Sequence, residues 1–289
     1  MTALRPTWAV ILAWNEVRHT LECLTSIRAL DPAPDHVLLV DNGSTDDTVA
    51  RVRAQFPEVE ILSLGANRYF AGGVNAGLER ALAGGAGSVL LLNNDLVLER
   101  GALGRLLGAL AADPTRGAAS PKLYYFDPPD RIWFAGGEVS LWRGTARHIG
   151  IRETDRGQHD APRDVDYVSG CALMARREVF QAIGMLDESY RAYFEDTDFC
   201  MRAARAGFRI RYVPTAKVWH RISASTGGQL SRRKAVAKLG SARRFFRRYA
   251  RPWHWLTIPF FFMLDVLRIC FLILAGRIRE SGPPPQSTP

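Results

Sequence analysis

The chain has 289 residues, 47% of them apolar, and a formal net charge of +9. This is enough sequence for one large hydrophobic core or two smaller ones. Its four cysteines, Cys23, Cys171, Cys200 and Cys270, are widely spaced and include no CxxC pair. That spacing argues against a disulfide framework or a cysteine zinc site, and it favours a reducing compartment.

The first half of the chain alternates between strand and helix patterns. The apolar run 8–13 leads into polar residues without a small-residue cleavage site, so we interpret it as a buried strand rather than a signal peptide. Further strands are predicted at 36–40, 59–64, 88–92 and 118–123, and helices at 18–30, after 47, at 74–83 and at 101–112. This alternation predicts an α/β fold, a mostly parallel sheet with helices on both faces.

The second half is less regular. Residues 124–166 are rich in Pro, Gly, Trp and charge, which predicts hairpins and mobile loops rather than a new domain. A buried strand is predicted at 167–174, and a final strand at 208–213. Two helices are predicted between these strands. The first covers 176–183, and the second begins within 193–198 and continues to 206.

Polar residues follow two of the predicted strands. The apolar run 89–92 ends in Asn93, Asn94 and Asp95, and strand 36–40 ends at Asp41. Ligands of open α/β sheets bind at the carboxyl ends of strands, and a carboxylate there suits a hard divalent cation. The alternative is an ordinary turn at each position, since Asn and Asp are common turn residues.

The segment 41–47 has a second interpretation as a helix start. Ser44 or Thr45 is expected to cap the following helix, with Asp46 and Asp47 in its first turn. Capping accounts for residues 44–47 but not for Asp41, which can accept hydrogen bonds from a base or from ribose hydroxyls. The glycine-rich stretch 71–77 lacks the GxGxxG spacing, so a dehydrogenase is discounted.

Three carboxylates, Glu195, Asp196 and Asp198, lie together at a predicted helix start. They favour the helix dipole, which is one explanation for them. The preceding residues 190–194 are rich in aromatic side chains, and such surroundings can raise a carboxylate pKa toward that of a general base. His220 follows an apolar strand, where a hydrogen-bonded structural histidine is the common outcome.

Six motifs together resemble family 2 glycosyltransferases, in the order found in that family. The chain is most similar to the bacterial rhamnosyltransferase-like and galactofuranosyltransferase-like enzymes, over about residues 7–225. The motifs are Trp14-Asn15-Glu16, 41–46, Asn67 with 72–75, 92–95, Ser169-Gly170 and 194–198. The resemblance implies a GT-A fold and an inverting, metal-dependent transfer of a sugar from a nucleotide-diphosphate sugar.

The resemblance also implies roles for individual residues. Asn15, Glu16 and Asp41 would hold the nucleoside, and Asn67 would lie beside the base or phosphates. Ser44 and Asn94, within two of the motifs, are included among the donor-binding residues. Asp196 matches the catalytic base, and Gly170, Glu195 and Asp198 are expected to border the acceptor.

A divalent metal, Mn²⁺ or Mg²⁺, is implied by the same resemblance. Asp95 fills the last position of the family's DxD motif, and His220 matches a histidine that ligates metal in the galactofuranosyl relatives. The chain departs from the pattern at Asn93, which replaces the first carboxylate. Metal binding would therefore depend more on Asp95, His220 and the diphosphate.

The C-terminal part has a different character. Nine basic residues and no acidic one lie between 229 and 251, and a long apolar segment with interfacial tryptophans follows at 253–276. Pro259, Asp265 and Arg268 argue against a simple membrane span. We expect this segment to lie in or dip into an anionic membrane surface, with a soluble homo-dimer interface as the alternative. Nucleic acid is not an expected partner, because the apolar cluster suits lipid better than phosphate.

The sequence thus predicts a catalytic domain at 1–225, a membrane-associating extension at 226–280 and a disordered tail at 281–289. The expected location is the cytoplasmic face of the inner membrane. Transfer of rhamnose from its dTDP derivative to a polysaccharide or lipid-linked saccharide is the expected reaction. Two other classes stay open: a nucleotide-sugar pyrophosphorylase or nucleotidyltransferase, and a non-catalytic membrane-associated scaffold.

Overall fold

The structure is a computed structural model that describes residues 4–190, 192–222 and 232–274. Its strands are β1 (Thr7–Ala13), β2 (His36–Asp41), β3 (Glu60–Ser63), β4 (Ser88–Asn93), β5 (Leu96–Leu98), β6 (Arg116–Tyr125), β7 (Ile132–Phe134), β8 (Gly137–Ser140), β9 (Thr145–His148), β10 (Arg163–Asp164), β11 (Ala172–Arg176) and β12 (Arg209–His220). Its helices are α1 (Val17–Arg28), α2 (Thr48–Gln55), α3 (Tyr69–Ala83), α4 (Ala102–Ala111), α5 (Arg177–Ile183), α6 (Glu195–Arg205), α7 (Arg232–Tyr249) and α8 (His254–Leu274).

The main sheet has the strand order β10-β12-β6-β11-β4-β1-β2-β3. The strands β3, β2, β1 and β4 run parallel, and so do β6 and β12. The strand β11 runs antiparallel between β4 and β6. The predicted α/β fold with a mostly parallel sheet is confirmed, with β11 as the reversal that the sequence pattern does not reveal.

The central strands are buried along nearly their whole length. In β4, Val89 to Leu92 are at most 2% exposed, as the unbroken apolar run predicts for a strand covered on both faces. The register pairs Leu12 of β1 with Asn93 of β4, and Ala13 with Asp41 of β2. The polar residues that follow these strands therefore begin at one shared edge of the sheet.

Three predicted elements differ from the structure. The predicted loop 65–73 is partly helical, since α3 begins at Tyr69 rather than near 74. The predicted strand 167–174 is shifted to Ala172–Arg176, and β12 continues through Pro214 to His220 with a register shift between Val213 and Lys217. An irregularity of this kind lets a strand accommodate a proline, which lacks the backbone donor.

The start of α2 also differs from the prediction. The helix begins at Thr48, and neither Ser44 nor Thr45 caps it. The Oδ1 atom of Asp46 instead accepts a hydrogen bond from the backbone N–H of Thr48 at 3.1 Å. Residues 42–47 are consequently left as a turn at the sheet edge.

The chain divides into two compact units. The first consists of Met1–Val139 and Ala146–Phe245, and the second of Ser140–Thr145 and Phe246–Pro289. Among the described residues, no helix has the length and apolar character needed to cross a membrane. The tail predicted to be disordered, 281–289, and the start of the predicted extension, 226–231, lie outside the described residues.

Candidate active site

Asp41 ends β2 and shapes the turn that follows it. Its buried carboxylate accepts a hydrogen bond from the backbone N–H of Ser44 at 2.9 Å. The Oγ atom of Ser44 in turn accepts from the backbone N–H of Asn15 at 2.8 Å. These two side chains bring the turn after β2 and the turn after β1 together.

Asn15 joins the same network through its side chain. Its Oδ1 atom accepts from the backbone N–H of Thr45 at 2.8 Å, and its carbonyl oxygen accepts from the Nδ2 atom of Asn94 at 3.2 Å. Both Asn15 and Glu16 have positive φ, 58° and 64°, a conformation that costs free energy for residues other than glycine. The side chains of Asn15 and Asn94 thus organise the backbone of the site.

Asn67 lies at the other side of the turn after β2. Its Oδ1 atom accepts from the backbone N–H of Tyr69 at 2.8 Å and from the Nδ2 atom of Asn42 at 3.3 Å. Gly43, with φ of +80°, lies directly against the backbone at Ala66, where an added Cβ would come within 2.7 Å of a backbone carbon. Close approach of the two loops therefore requires glycine at position 43.

Asp95 and His220 meet at the carboxyl edge beyond β4. The Oδ2 atom of Asp95 lies 3.2 Å from the Nε2 atom of His220, and both side chains are largely buried. The Oδ1 atom of Asp95 and the Nδ1 atom of His220 are buried without a hydrogen-bond partner. Buried polar atoms of this kind are uncommon in proteins, and they are the atoms that a ligand would satisfy.

Trp133 forms a wall beside His220 that the sequence analysis did not identify. Its ring lies edge-on to His220 at 4.7 Å and edge-on to His148 at 4.6 Å. Burial lowers the pKa of His148 to about 4, and Lys238 and His220 nearby act in the same direction. The only sequence signal for Trp133 is a short apolar run in the segment predicted to form hairpins.

Asp196 lies in the first turn of α6 and is held by backbone donors. Its Oδ2 atom accepts from the N–H of Gly170 at 2.9 Å, and its Oδ1 atom accepts from the N–H of Thr197 at 2.6 Å. Burial raises the pKa of Asp196, and these hydrogen bonds oppose that effect without cancelling it. A carboxylate with a raised pKa is a better proton acceptor than an ordinary aspartate.

Glu195 precedes Asp196 and is also buried. Burial, followed by the charge of Asp196, raises the pKa of Glu195 to about 8. Its Oε2 atom has no hydrogen-bond partner. The raised pKa lets Glu195 keep its proton to a higher pH than an ordinary glutamate, which reduces the repulsion between the two carboxyl groups.

Asp198 is placed differently from the other two carboxylates. It is fully buried, and its Oδ2 atom accepts from the Nε atom of Arg202 at 2.7 Å. Arg202 also donates to the carbonyl oxygens of Ile183 and Met185. This ion pair joins α6 to the end of α5, so the Asp198 carboxylate is engaged inside the protein by Arg202.

Cys171, the residue after the Gly170 that binds Asp196, is hydrogen-bonded to the end of β4, two residues before Asp95. The backbone N–H of Asn93 donates to the carbonyl oxygen of Cys171 at 2.9 Å. Cys171 follows Gly170, the residue that binds Asp196. The network therefore runs from Asp41 through the turns after β1 and β2 to Asp95, and across β11 to Asp196.

This arrangement of sheet and edge defines a class of enzyme, the GT-A glycosyltransferases. The solved structure of GalNAc-T7 with UDP, GalNAc and Mn²⁺ has the same fold, with a TM-score of 0.66 and 14% sequence identity. The match covers 83% of this chain and 47% of that chain, so this chain spans about half the length of GalNAc-T7.

Residues 8–184 match the family described as Glycosyl transferase family 2, and the chain belongs to that family. The resemblance recognised in the motifs is confirmed. Family membership also favours glycosyl transfer over nucleotidyl transfer, the alternative enzyme class that the sequence left open.

Two curated relatives illustrate where the chain stands in the family. It is 31% identical over 246 residues to N-acetylglucosaminyl-diphospho-decaprenol L-rhamnosyltransferase of Mycobacterium tuberculosis, covering 78% of this chain and 79% of the relative. It is 26% identical over 215 residues to dTDP-rhamnosyl transferase RfbF of Shigella flexneri, covering 74% and 69% respectively.

The residues at the edge fit a divalent cation in donor type. Among the described residues, no group of three or more His, Cys, Asp or Glu side chains is placed to hold a metal ion. The unpartnered Oδ1 atom of Asp95 and the adjacent imidazole of His220 supply one hard and one borderline ligand. Such a mixed set suits Mn²⁺ or Mg²⁺ when diphosphate oxygens complete the shell.

Proposed function

We propose that this protein transfers one sugar, with inversion at its anomeric carbon, from a nucleotide-diphosphate sugar to a saccharide hydroxyl. The observation that carries the proposal is the pairing of Asp95 with His220 at the edge to which Gly170 anchors Asp196. Asp95 and His220 suit the diphosphate, and Asp196 suits the attacking hydroxyl. In-line displacement needs these two groups on opposite sides of the sugar.

Asp196 acts as the general base in this proposal. The acceptor oxygen attacks the anomeric carbon, the bond from that carbon to the diphosphate oxygen breaks, and Asp196 takes the hydroxyl proton. The N–H groups of Gly170 and Thr197 hold the carboxylate in place. Gly170 and Glu195 border the acceptor, whereas Asp198 is left out because Arg202 binds it.

The donor occupies the edge formed by the turns after β1 and β2. Asp41 and Glu16 accept from the nucleoside, while Asn15, Ser44, Asn67 and Asn94 hold the two turns in position. Trp14, adjacent to Asn15, is 46% exposed. An exposed indole at this edge offers a flat surface on which a nucleobase can stack.

Asp95 and His220 would hold the metal ion together with the diphosphate. When bound, Mn²⁺ or Mg²⁺ neutralises the negative charge that builds up on the leaving diphosphate. Trp133, edge-on to His220, limits the movement of that imidazole. The wall formed by Trp133 also keeps water from one side of the site.

In the form of the proposal that we favour, the donor is dTDP-rhamnose and the acceptor is a lipid-linked saccharide. The support comes from the two curated relatives, whose names specify L-rhamnosyl transfer to a diphospho-decaprenol carrier and a dTDP-rhamnosyl transferase. A lipid-linked acceptor is met at the membrane, in line with the location expected from the sequence. A polysaccharide acceptor is the second form of the proposal.

The test is a transfer assay with purified protein. We expect release of dTDP from dTDP-rhamnose that requires Mn²⁺ or Mg²⁺ and is stimulated by an N-acetylglucosaminyl-diphospho-lipid. Analysis of the product by NMR should show an anomeric configuration opposite to that of the donor. A protein that binds dTDP but releases none under any metal would instead support the non-catalytic scaffold.

A further inference from the structure

The helix α8 is covered on one face by the hairpin tip 140–145, within the second unit. The hydroxyl of Thr257 donates to the carbonyl oxygen of Trp142 at 2.7 Å, and the His254 ring lies edge-on to the Trp142 ring at 4.7 Å. The Arg143 guanidinium lies 5.2 Å from the centre of the Phe261 ring. Positions 254, 257 and 261 share one side of a helix, so this is the covered face.

A second side of α8, next to the covered face, is apolar and exposed. We call it the outer face, and it extends from the residue preceding the helix through its first four turns. It consists of Trp253 (46% exposed), Leu256 (81%), Phe260 (53%), Met263 (52%), Leu264 (42%) and Leu267 (57%). Steps of three and four residues place all six on one stripe about 21 Å long. Contiguous apolar stripes of this length usually contact a partner in soluble proteins.

Charge and aromatic residues around the stripe indicate the partner. Between 246 and 264 the sequence contains no Asp or Glu, and the second unit as a whole contains seven Arg or Lys and two Asp or Glu. Arg143, Arg247 and Arg251 are exposed. Exposed Trp142 and Trp255 lie in the same unit, and tryptophan favours the boundary between lipid headgroups and acyl chains.

We propose that the outer face of α8 lies in the plane of an anionic lipid bilayer, with its apolar side chains among the acyl chains. The arginines contact the lipid phosphates, and the hairpin tip 140–145 holds the helix by its covered face. A second copy of this chain is the competing occupant. Two copies would bring the same positive charge together at the interface, whereas an anionic bilayer neutralises it. The proposal does not depend on the sugar-transfer reaction.

The test uses the full chain and extruded vesicles in the absence of any nucleotide. Co-flotation is measured with vesicles of phosphatidylcholine alone and of phosphatidylcholine mixed with phosphatidylglycerol. The face variant is Leu256→Ser combined with Phe260→Ser. Leu239→Ser is the matched control, since Leu239 is 66% exposed on α7 and lies outside the stripe. Thermal unfolding in solution confirms that each variant folds, because exposed side chains contribute little to stability.

The wild-type protein and the Leu239→Ser variant should float with the anionic vesicles and much less with the neutral ones. The face variant should lose about tenfold or more in apparent lipid affinity. Equal binding of the face variant, or equal binding to both kinds of vesicle, would overturn the proposal. So would a wild-type dimer that does not bind vesicles and that the face variant converts to a monomer, as measured by light scattering.

Discussion

The Nε2 atom of His220 lies 3.2 Å from the Oδ2 atom of Asp95, although the two residues belong to distant parts of the chain. The pairing of β12 with β5 produces this contact, because His220 is opposite Leu96, the neighbour of Asp95. A slip of one residue in this register would turn the imidazole to the other face of the sheet. The short strand β5 therefore positions the candidate metal site.

Replacing Asp95 with Asn should abolish most metal-dependent transfer. The substitution keeps the shape of the side chain but removes the charge, and we expect a loss of about 10²–10³ in kcat. His220→Gln should lower the apparent affinity for Mn²⁺ by about 10- to 100-fold. The measurement is the rate of dTDP release as a function of Mn²⁺ concentration.

Asp47→Asn is the matched control, since Asp47 is an exposed carboxylate at the same edge of the sheet. It should leave both the rate and the metal dependence near the wild-type values. An Asp95→Asn enzyme with an unchanged response to Mn²⁺ would remove Asp95 from the proposed metal site.

The neighbouring carboxylates Asp196 and Asp198 should respond in opposite ways to substitution. Asp196→Asn should lower kcat by about 10²–10⁴ and leave the affinity for dTDP nearly unchanged, because the proposed base acts only on the acceptor hydroxyl. Asp198→Asn should lower the free energy of unfolding by about 3–5 kcal/mol, because it leaves Arg202 buried without its counter-ion. Urea unfolding and transfer kinetics on both variants separate the two roles.

The decisive comparison is kcat per folded molecule. An Asp198→Asn enzyme that is stable but slow would restore Asp198 to the acceptor region. An Asp196→Asn enzyme that is fast would show that another group accepts the proton.

The carboxylates of Glu195, Asp196 and Asp198 illustrate what the sequence can and cannot predict. Their position at a helix start follows from the sequence pattern. The contacts of each side chain do not, because successive residues point about 100° apart around the helix axis. Only the packing of α6 against α5 decides that Asp198 binds Arg202 while Asp196 binds Gly170. The resemblance to the family assigns the proposed base to Asp196, whereas the residue types alone do not distinguish it from its neighbours.

The glycine-rich stretch in α3 shows the same limit. Gly73 belongs to the loop predicted at 65–73, because glycine disfavours helices, whereas Gly77 belongs to the predicted helix 74–83. In the structure they lie inside α3, where an added Cβ at Gly73 would come within 2.5 Å of Leu12 and one at Gly77 within 2.5 Å of Val10. Close packing of the helix on β1 requires them, and that requirement is visible only in three dimensions. The parallel strands β1, β2 and β4 were predictable because buried strands have nearly unbroken apolar runs.

Glu195 should make the stability of the protein depend on pH. Its pKa is about 8 in the folded protein against 4.5 for an ordinary glutamate. Below pH 4.5 the carboxyl is protonated in both the folded and the unfolded chain. As the pH rises from there toward 8, only the unfolded chain releases the proton, so stability is lost across this window and is then constant.

We expect Glu195→Gln, which is neutral at every pH, to remove this contribution. The difference in free energy of unfolding between variant and wild type should grow by roughly 2–5 kcal/mol in favour of the variant from pH 5 to pH 8.5. Urea unfolding at several pH values measures it, and the shared background of other titrating groups cancels in the difference. Parallel stability curves for the two proteins would mean that Glu195 is ionised when folded.

Gly43 should be needed both for the fold of the donor site and for donor binding. Its φ of +80° alone makes alanine unfavourable by about 1–2 kcal/mol. The backbone at Ala66 adds a steric clash, since the new Cβ would lie 2.7 Å from a backbone carbon and the loop bearing Asn67 would have to move. We therefore expect Gly43→Ala to lower both the melting temperature and the affinity for dTDP.

Gly85→Ala separates strain from displacement. Gly85 has a similar φ of +85°, but nothing lies within 4 Å of its added Cβ. This control should cost only the conformational penalty and should keep the wild-type stabilisation by dTDP, which raises the melting temperature because the ligand binds only the folded protein. If Gly43→Ala shows the same stabilisation by dTDP as Gly85→Ala, the turn that begins at Asp41 does not bind the nucleotide.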